Sequence, residues 1–184
     1  MRAPSRRSAI LRPVSLADTE EVIRQRLDLF RAMGDIPERD LPPYVPRFRR
    51  WFRRELRAGR LWGFLAVGPV GRPVGGGLLW LQPRTPSPRF PESVAPYVFS
   101  VFVEPEHRGR GLGTRIMRAL IESARARGFA RIELHSTDAG RGLYEQLGFR
   151  PTTQLRLALR RPHRVSTRRR TVAGRRLVAE PRVN

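Results

Sequence analysis

Three glycines alternate with larger residues in Arg108-Gly109-Arg110-Gly111-Leu112-Gly113. An apolar, β-prone run, Tyr97–Val103 (YVFSVFV), and the turn Glu104-Pro105-Glu106-His107 precede them. After them Leu112, Ile116, Met117, Leu120 and Ile121 keep helical spacing, and Gly128 ends the segment. Without Cβ atoms, successive backbone N–H groups can turn toward one point. The start of the helix adds unpaired amides and the positive end of its dipole. Such a loop can cradle a pyrophosphate, and the same spacing also serves a plain tight turn from strand to helix. No Gly-Lys-Ser/Thr follows, so this is not a nucleoside-triphosphate loop. It lies past the middle of the chain, whereas a dinucleotide fingerprint usually opens a domain. About thirty residues on stands a second cluster, Leu143-Tyr144-Glu145-Gln146-Leu147-Gly148-Phe149.

The two clusters together resemble the GNAT acetyltransferase superfamily. Arg108, Gly111 and Gly113 fit its Arg/Gln-x-x-Gly-x-Gly/Ala signature after a central strand, and Leu143 to Phe149 is similar to its Leu-Tyr-x-x-x-Gly-Phe element. The resemblance runs over about residues 9–159. It implies a GNAT-like mixed central sheet flanked by helices on both faces, and transfer of an acetyl group from acetyl-CoA to a primary amine of a small molecule or peptide. By the same resemblance, the backbone of Val101, Phe102 and Val103 would pair with the pantetheine arm. Amides from Arg108, Gly109, Arg110, Gly111, Leu112 and Gly113, with Thr114, would hold the pyrophosphate. Tyr144 would protonate the departing thiolate, although a tyrosine there also suits an amphipathic core. The chain departs from the pattern in two places. Thr137 stands where many relatives carry Asn, and Tyr97 stands where histone-type relatives place a glutamate base. Glu104, Glu133 and His135 are the nearby candidates for that base, and a chain of waters would also serve.

The elements that must position these groups can be read from periodicity. A first strand is expected over 9–14, a helix from Ser15 to Met33 closed by Gly34, and a turn containing Pro42, Pro43 and Pro46. A second amphipathic helix follows, ending near Gly59, with Phe48, Trp51, Phe52 and Leu56 on its apolar side. Strands over 60–67 and 73–82 form an antiparallel hairpin. Five prolines between 83 and 96 mark a loop unfit for a sheet interior. The remaining expectations are a central strand at 97–103, helix 111–127, strand 130–135, helix 139–147 and a last strand near 151–159. An antiparallel start and a βαβ finish make a mixed sheet with helices on both faces.

Composition bounds the rest. The chain has 184 residues, is 40% hydrophobic, and carries a formal charge of +21 made wholly of Arg, with no Lys. Nucleic-acid binders use both cations, so an all-Arg composition points to codon bias rather than to a partner. The charge is uneven. Residues 1–12, which include a basic extension over 1–8, carry four Arg and no acid. A tail over 160–184, with Arg168, Arg169 and Arg170, carries nine Arg and one Glu and is expected to be disordered, which leaves +9 for 13–159. The tail could bind RNA, DNA or an anionic membrane surface without specificity, or be neutral. Arg47, Arg49, Arg50, Arg53, Arg54 and Arg57 on the second helix either attract an acidic acceptor or form a solvated face. Cysteine is absent and His107, His135 and His163 are scattered, so neither a disulfide nor a metal centre is expected. No apolar run approaches the ~20 residues of a membrane span, and the reading is a cytoplasmic monomer or homodimer. From another class stands a non-catalytic, basic nucleic-acid-binding protein on the same scaffold, which only the termini favour.

Overall fold

The computed structural model describes residues 9–34, 36–155 and 157. Strand β1 (Ile10–Pro13) pairs antiparallel with β2 (Leu61–Val67), β2 with β3 (Pro73–Pro83), and β3 with β4 (Val94–Val103). Strand β5 (Glu133–Leu134) joins β4 in parallel, so the order is β1-β2-β3-β4-β5. The expected mixed sheet is therefore present, with helices on both of its faces.

Alternation along the strands decides which helix covers which face. Leu61, Leu65 and Leu78 point to one side and pack on Val22 and Ile23 of α1 (Thr19–Met33) and on Phe48 and Phe52 of α2 (Leu41–Arg57). Ala66, Leu79 and Val98 point to the other, against Ile116, Met117 and Leu120 of α3 (Leu112–Arg125). At the margin of that second core lie Leu143, Tyr144 and Leu147, from α4 (Asp138–Gln146) and the residue after it. Phe52, Ile116, Met117 and Leu120 are fully buried, and each contributes about 1.5–3 kcal/mol. Helix α3 can sit this close because Gly77 of β3 has no side chain. A Cβ there would lie 2.9 Å from Ile116 Cγ2 and 3.0 Å from Leu120 Cδ1.

Several boundaries depart from expectation. Ser15 caps a short 3-10 turn, Leu16–Asp18, before α1 begins at Thr19. The three prolines expected in a turn lie inside α2. Pro42 and Pro43 occupy the first turn, where the ring costs no hydrogen bond, and Pro46 is tolerated further in. Burial of Phe48 and Phe52 on the sheet outweighs the bond that Pro46 removes. The proline-rich loop is shorter than 83–96, since Pro83 pairs with Val94 and Pro96 with Leu81. Pro96 is accommodated near the start of its strand, where β5, which pairs only with Tyr97 and Val98, does not reach. The last strand is absent from 151–155 and 157; Pro151 has no N–H to give and residues 151–155 are exposed. Residues 156, 158 and 159, the 1–8 extension and the 160–184 tail lie outside the described residues. Among the described residues no helix is long and apolar enough to cross a membrane.

Candidate active site

The site begins with an irregularity in β4. Gly76 is opposite Phe102 and Leu78 opposite Phe99, so the stretch between them holds one more residue in β4 than in β3. Ser100 takes up the extra residue with φ +52°, and among the described residues it is the one non-glycine with positive φ. The bulge also changes which side chains share a face. In a regular strand Val98, Ser100 and Phe102 would lie together; here Val101 and Val103 join Val98 on the α3 side. Beyond Val98 the strand runs on without β5, leaving the Phe99–Val103 edge to border a cleft of about 560 Å³.

The loop continues from that edge. A 3-10 turn, Pro105–His107, reverses the chain, and Arg108 Nε donates to Val103 O at 2.9 Å, tying the loop to the strand end. Gly109 (φ +70°) and Gly111 (φ +73°) adopt left-handed backbone that L side chains rarely take. The space over each is open, with no atom within 4 Å of where a Cβ would stand. Gly111 is the N-cap of α3 and among the described residues no side chain caps that helix, so its first amides are left for an anion. These features fit a CoA pyrophosphate and pantetheine arm: an edge with no strand beside it among the described residues runs into an uncapped helix start with bare backbone between.

The same cleft brings together Val101, Phe102, Val103, Arg108, Gly109, Gly111, Leu112, Gly113, Thr114 and Tyr144. Arg110 alone among the expected residues is exposed and not part of the lining. Tyr144, on α4, is half-buried and packs edge-on to Phe149 at 6.0 Å. Its hydroxyl proton is held more tightly than in a free tyrosine, first because burial disfavours the phenolate and then because Tyr97 is near.

Of the three candidate bases, two are committed to ion pairs. Glu104 is buried, 2.7 Å from Arg24 and 3.7 Å from Arg72. Glu133 is 2.5 Å from Arg84 and 3.3 Å from Arg131. His135 lines the cleft, and its Nδ1 is 2.5 Å from the Tyr97 hydroxyl. Thr137 also lines it and caps α4, its hydroxyl accepting from the Gly140 amide at 3.3 Å. Periodicity did not point to Leu29 and Met33 of α1, which form part of the wall, or to Ser100. A polar residue inside YVFSVFV was the signal for the last. Among the described residues no group of three or more His, Asp or Glu could hold a metal ion.

Known proteins share the fold and much of the sequence of this chain. The model of the acetyltransferase (GNAT) family matches residues 25–149. Glucosamine 6-phosphate N-acetyltransferase of Trypanosoma brucei brucei is 36% identical over 104 residues, covering 56% of this chain and 69% of that protein. The crystal structure of a GCN5-related N-acetyltransferase from Ralstonia eutropha superposes with a TM-score of 0.75 at 30% identity, over 82% of this chain and 97% of that one. A predicted acetyltransferase from Clostridium acetobutylicum, crystallised with acetyl-CoA, has the same fold at 22% identity, with a TM-score of 0.75 over 82% and 96% of the two chains.

Proposed function

We propose, for a chain that belongs to the GNAT acetyltransferase family and is an acyl-CoA-dependent N-acetyltransferase, how its cleft carries out the transfer and on what. The donor is acetyl-CoA, held along the Phe99–Val103 edge and by the backbone from Arg108 to Thr114. The acceptor is the primary amine of a small anionic molecule, with glucosamine 6-phosphate as the first candidate. The observation that carries this reading is the continuity of the free β4 edge with the uncapped start of α3. The acceptor class is supported by the similarity to glucosamine 6-phosphate N-acetyltransferase and by the strongly positive chain, which would draw an anion in.

Acetyl-CoA supplies an activated thioester. What the chain's own residues contribute is alignment and proton management. When the amine nitrogen bonds to the acyl carbon and the carbon–sulfur bond breaks, one proton must leave nitrogen and one must reach sulfur. Tyr144 keeps its proton through the neutral range and holds it on the cleft side of α4 for the departing sulfur. His135 receives the proton from nitrogen. The tautomer this role requires is the one whose Nδ1–H donates to the Tyr97 oxygen, 2.5 Å away, with the lone pair on Nε2.

The test is released CoA thiol, measured with glucosamine 6-phosphate, glucosamine and a peptide α-amine at equal concentration. Glucosamine 6-phosphate should turn over at least ~10-fold faster than glucosamine, the ratio expected when a phosphate gains one charge-assisted contact. Turnover of the peptide but not of the sugar phosphate would discard the acceptor, and no thiol release with any amine would discard the catalytic reading.

A further inference from the structure

We infer that Arg26 is a positioning residue of the acetyl-CoA strand: it holds the Ser100 hydroxyl and so fixes the bulge that turns the Phe99–Val103 edge to the cleft. The inference rests on the reading of the cleft given above. Arg26 lies on α1, 74 residues away in sequence, and its Nη1 donates to Ser100 Oγ at 2.6 Å. Its Nε donates to the Tyr44 hydroxyl. The guanidinium carbon stands 4.6 Å from the centre of the Phe30 ring, 5.0 Å from Phe48, 5.4 Å from Phe99 and 5.7 Å from Tyr44. Neighbouring arginines on α1 are held by carboxylates, Arg24 by Glu21 and Asp28 and Arg31 by Asp28 and Glu38. Arg26 instead has a cage of ring faces, which orients a planar cation and leaves its N–H groups to aim at chosen acceptors.

One of those acceptors is the residue with unfavourable backbone. A serine at φ +52° persists only where its surroundings over-determine it, and bulges with a left-handed residue more often place glycine there. Phe99, beside Ser100, is itself one wall of the cage. Arg26 thus grips the bulge at two consecutive residues, once through a ring and once through a hydroxyl. If the grip is lost, Ser100 relaxes toward ordinary extended backbone. The face parity of Val101 and Val103 then reverts, and the edge offered to pantetheine is lost.

A merely structural arginine and a positioning one differ in whether a glycine in place of Ser100 makes it dispensable. Glycine adopts positive φ unaided. In the full-length protein, Arg26→Met keeps the packing on the rings and removes the donor, while Ser100→Ala removes the acceptor. Each should raise the acetyl-CoA Kd on the order of tenfold and move the amide chemical shifts of Val101, Phe102 and Val103. In a Ser100→Gly background, with that variant's own Kd as the reference, Arg26→Met should cost less than about threefold. An equal loss from Arg26→Met in the parent and in the Ser100→Gly variant would overturn the proposal, as would unmoved amide shifts in Ser100→Ala. If Arg26→Met does not fold, the amide shifts of Val101, Phe102 and Val103 in Ser100→Ala decide alone. A parent protein that binds no acetyl-CoA would end the reading of the cleft, while the amide shifts, which need no ligand, would still decide the role of Arg26.

Discussion

Tyr144, on α4, and His135, just after β5, line one cleft. Burial holds the Tyr144 proton in place, which suits the acid role proposed for it. Tyr144→Phe keeps the ring and its edge-on contact with Phe149. It should lower kcat by ~10²-fold or more, leave acetyl-CoA affinity within about twofold, and shift the melting temperature by only a few degrees. Kinetics and thermal melts on the same preparation check this; full turnover by the Phe variant would remove Tyr144 from the mechanism. His135→Gln should likewise cost ~10²-fold in kcat, and Tyr97→Phe less, because in the proposed mechanism Tyr97 acts through the imidazole. If His135→Gln turned over normally with a saturating amine, the base would lie elsewhere. The sequence named Tyr144 through its Leu-Tyr-x-x-x-Gly-Phe neighbourhood. It left three candidate bases open, because a carboxylate's partners are set by tertiary packing. Arg24 holds Glu104 from 80 residues away, and no local pattern carries that.

At the scale of elements, the loop and α3 were legible because glycine spacing and helical periodicity are local signals. What was not legible came from tertiary override. The three prolines read as a turn because local chemistry forbids them in a helix interior, yet buried aromatics carry α2 through Pro46. The β4 bulge was hidden in an apolar run whose alternation looks uniform, since a single extra residue reverses parity without altering composition. The proposed cofactor edge rests on that hidden feature and on the closeness of α3 to β3. Gly77→Val tests the second point: the new side chain would enter the 2.9–3.0 Å approach to Ile116 and Leu120. A destabilisation of about 1–3 kcal/mol in urea unfolding is expected. An unchanged midpoint would mean that α3 is free to lift from the sheet.

For the whole molecule, an excess of 37 basic over 16 acidic residues makes each carboxylate valuable to stability. Two buried ones anchor chain segments: Asp18 takes bonds from Arg12 and Ser15, and Glu55 from Arg54, Arg60 and Trp80. Bonding to Arg12 lowers Asp18 to about 2, and bonding to Arg60 lowers Glu55 to about 2. Because these values are depressed in the folded state, their stabilisation is full above the ordinary carboxylate range and is lost as pH falls from about 4.5 toward 2. The melting temperature should therefore drop by several degrees between about pH 5 and pH 3, more steeply in the parent than in Glu55→Gln; parallel slopes would mean that Glu55 titrates alike in both states. The central claim, that acetyl-CoA is held on bare backbone where the free β4 edge meets α3, has a more direct test. Gly111 and Gly128 share a left-handed φ, +73° and +80°, with open space around both, so Val at either imposes similar strain, and Gly128 does not line the cleft. Calorimetric titration of acetyl-CoA into the parent, Gly111→Val and Gly128→Val separates strain from obstruction. The account predicts comparable melting temperatures for the two variants, affinity unchanged in Gly128→Val, and a Kd raised at least ~100-fold in Gly111→Val. Equal affinity in all three proteins would contradict it.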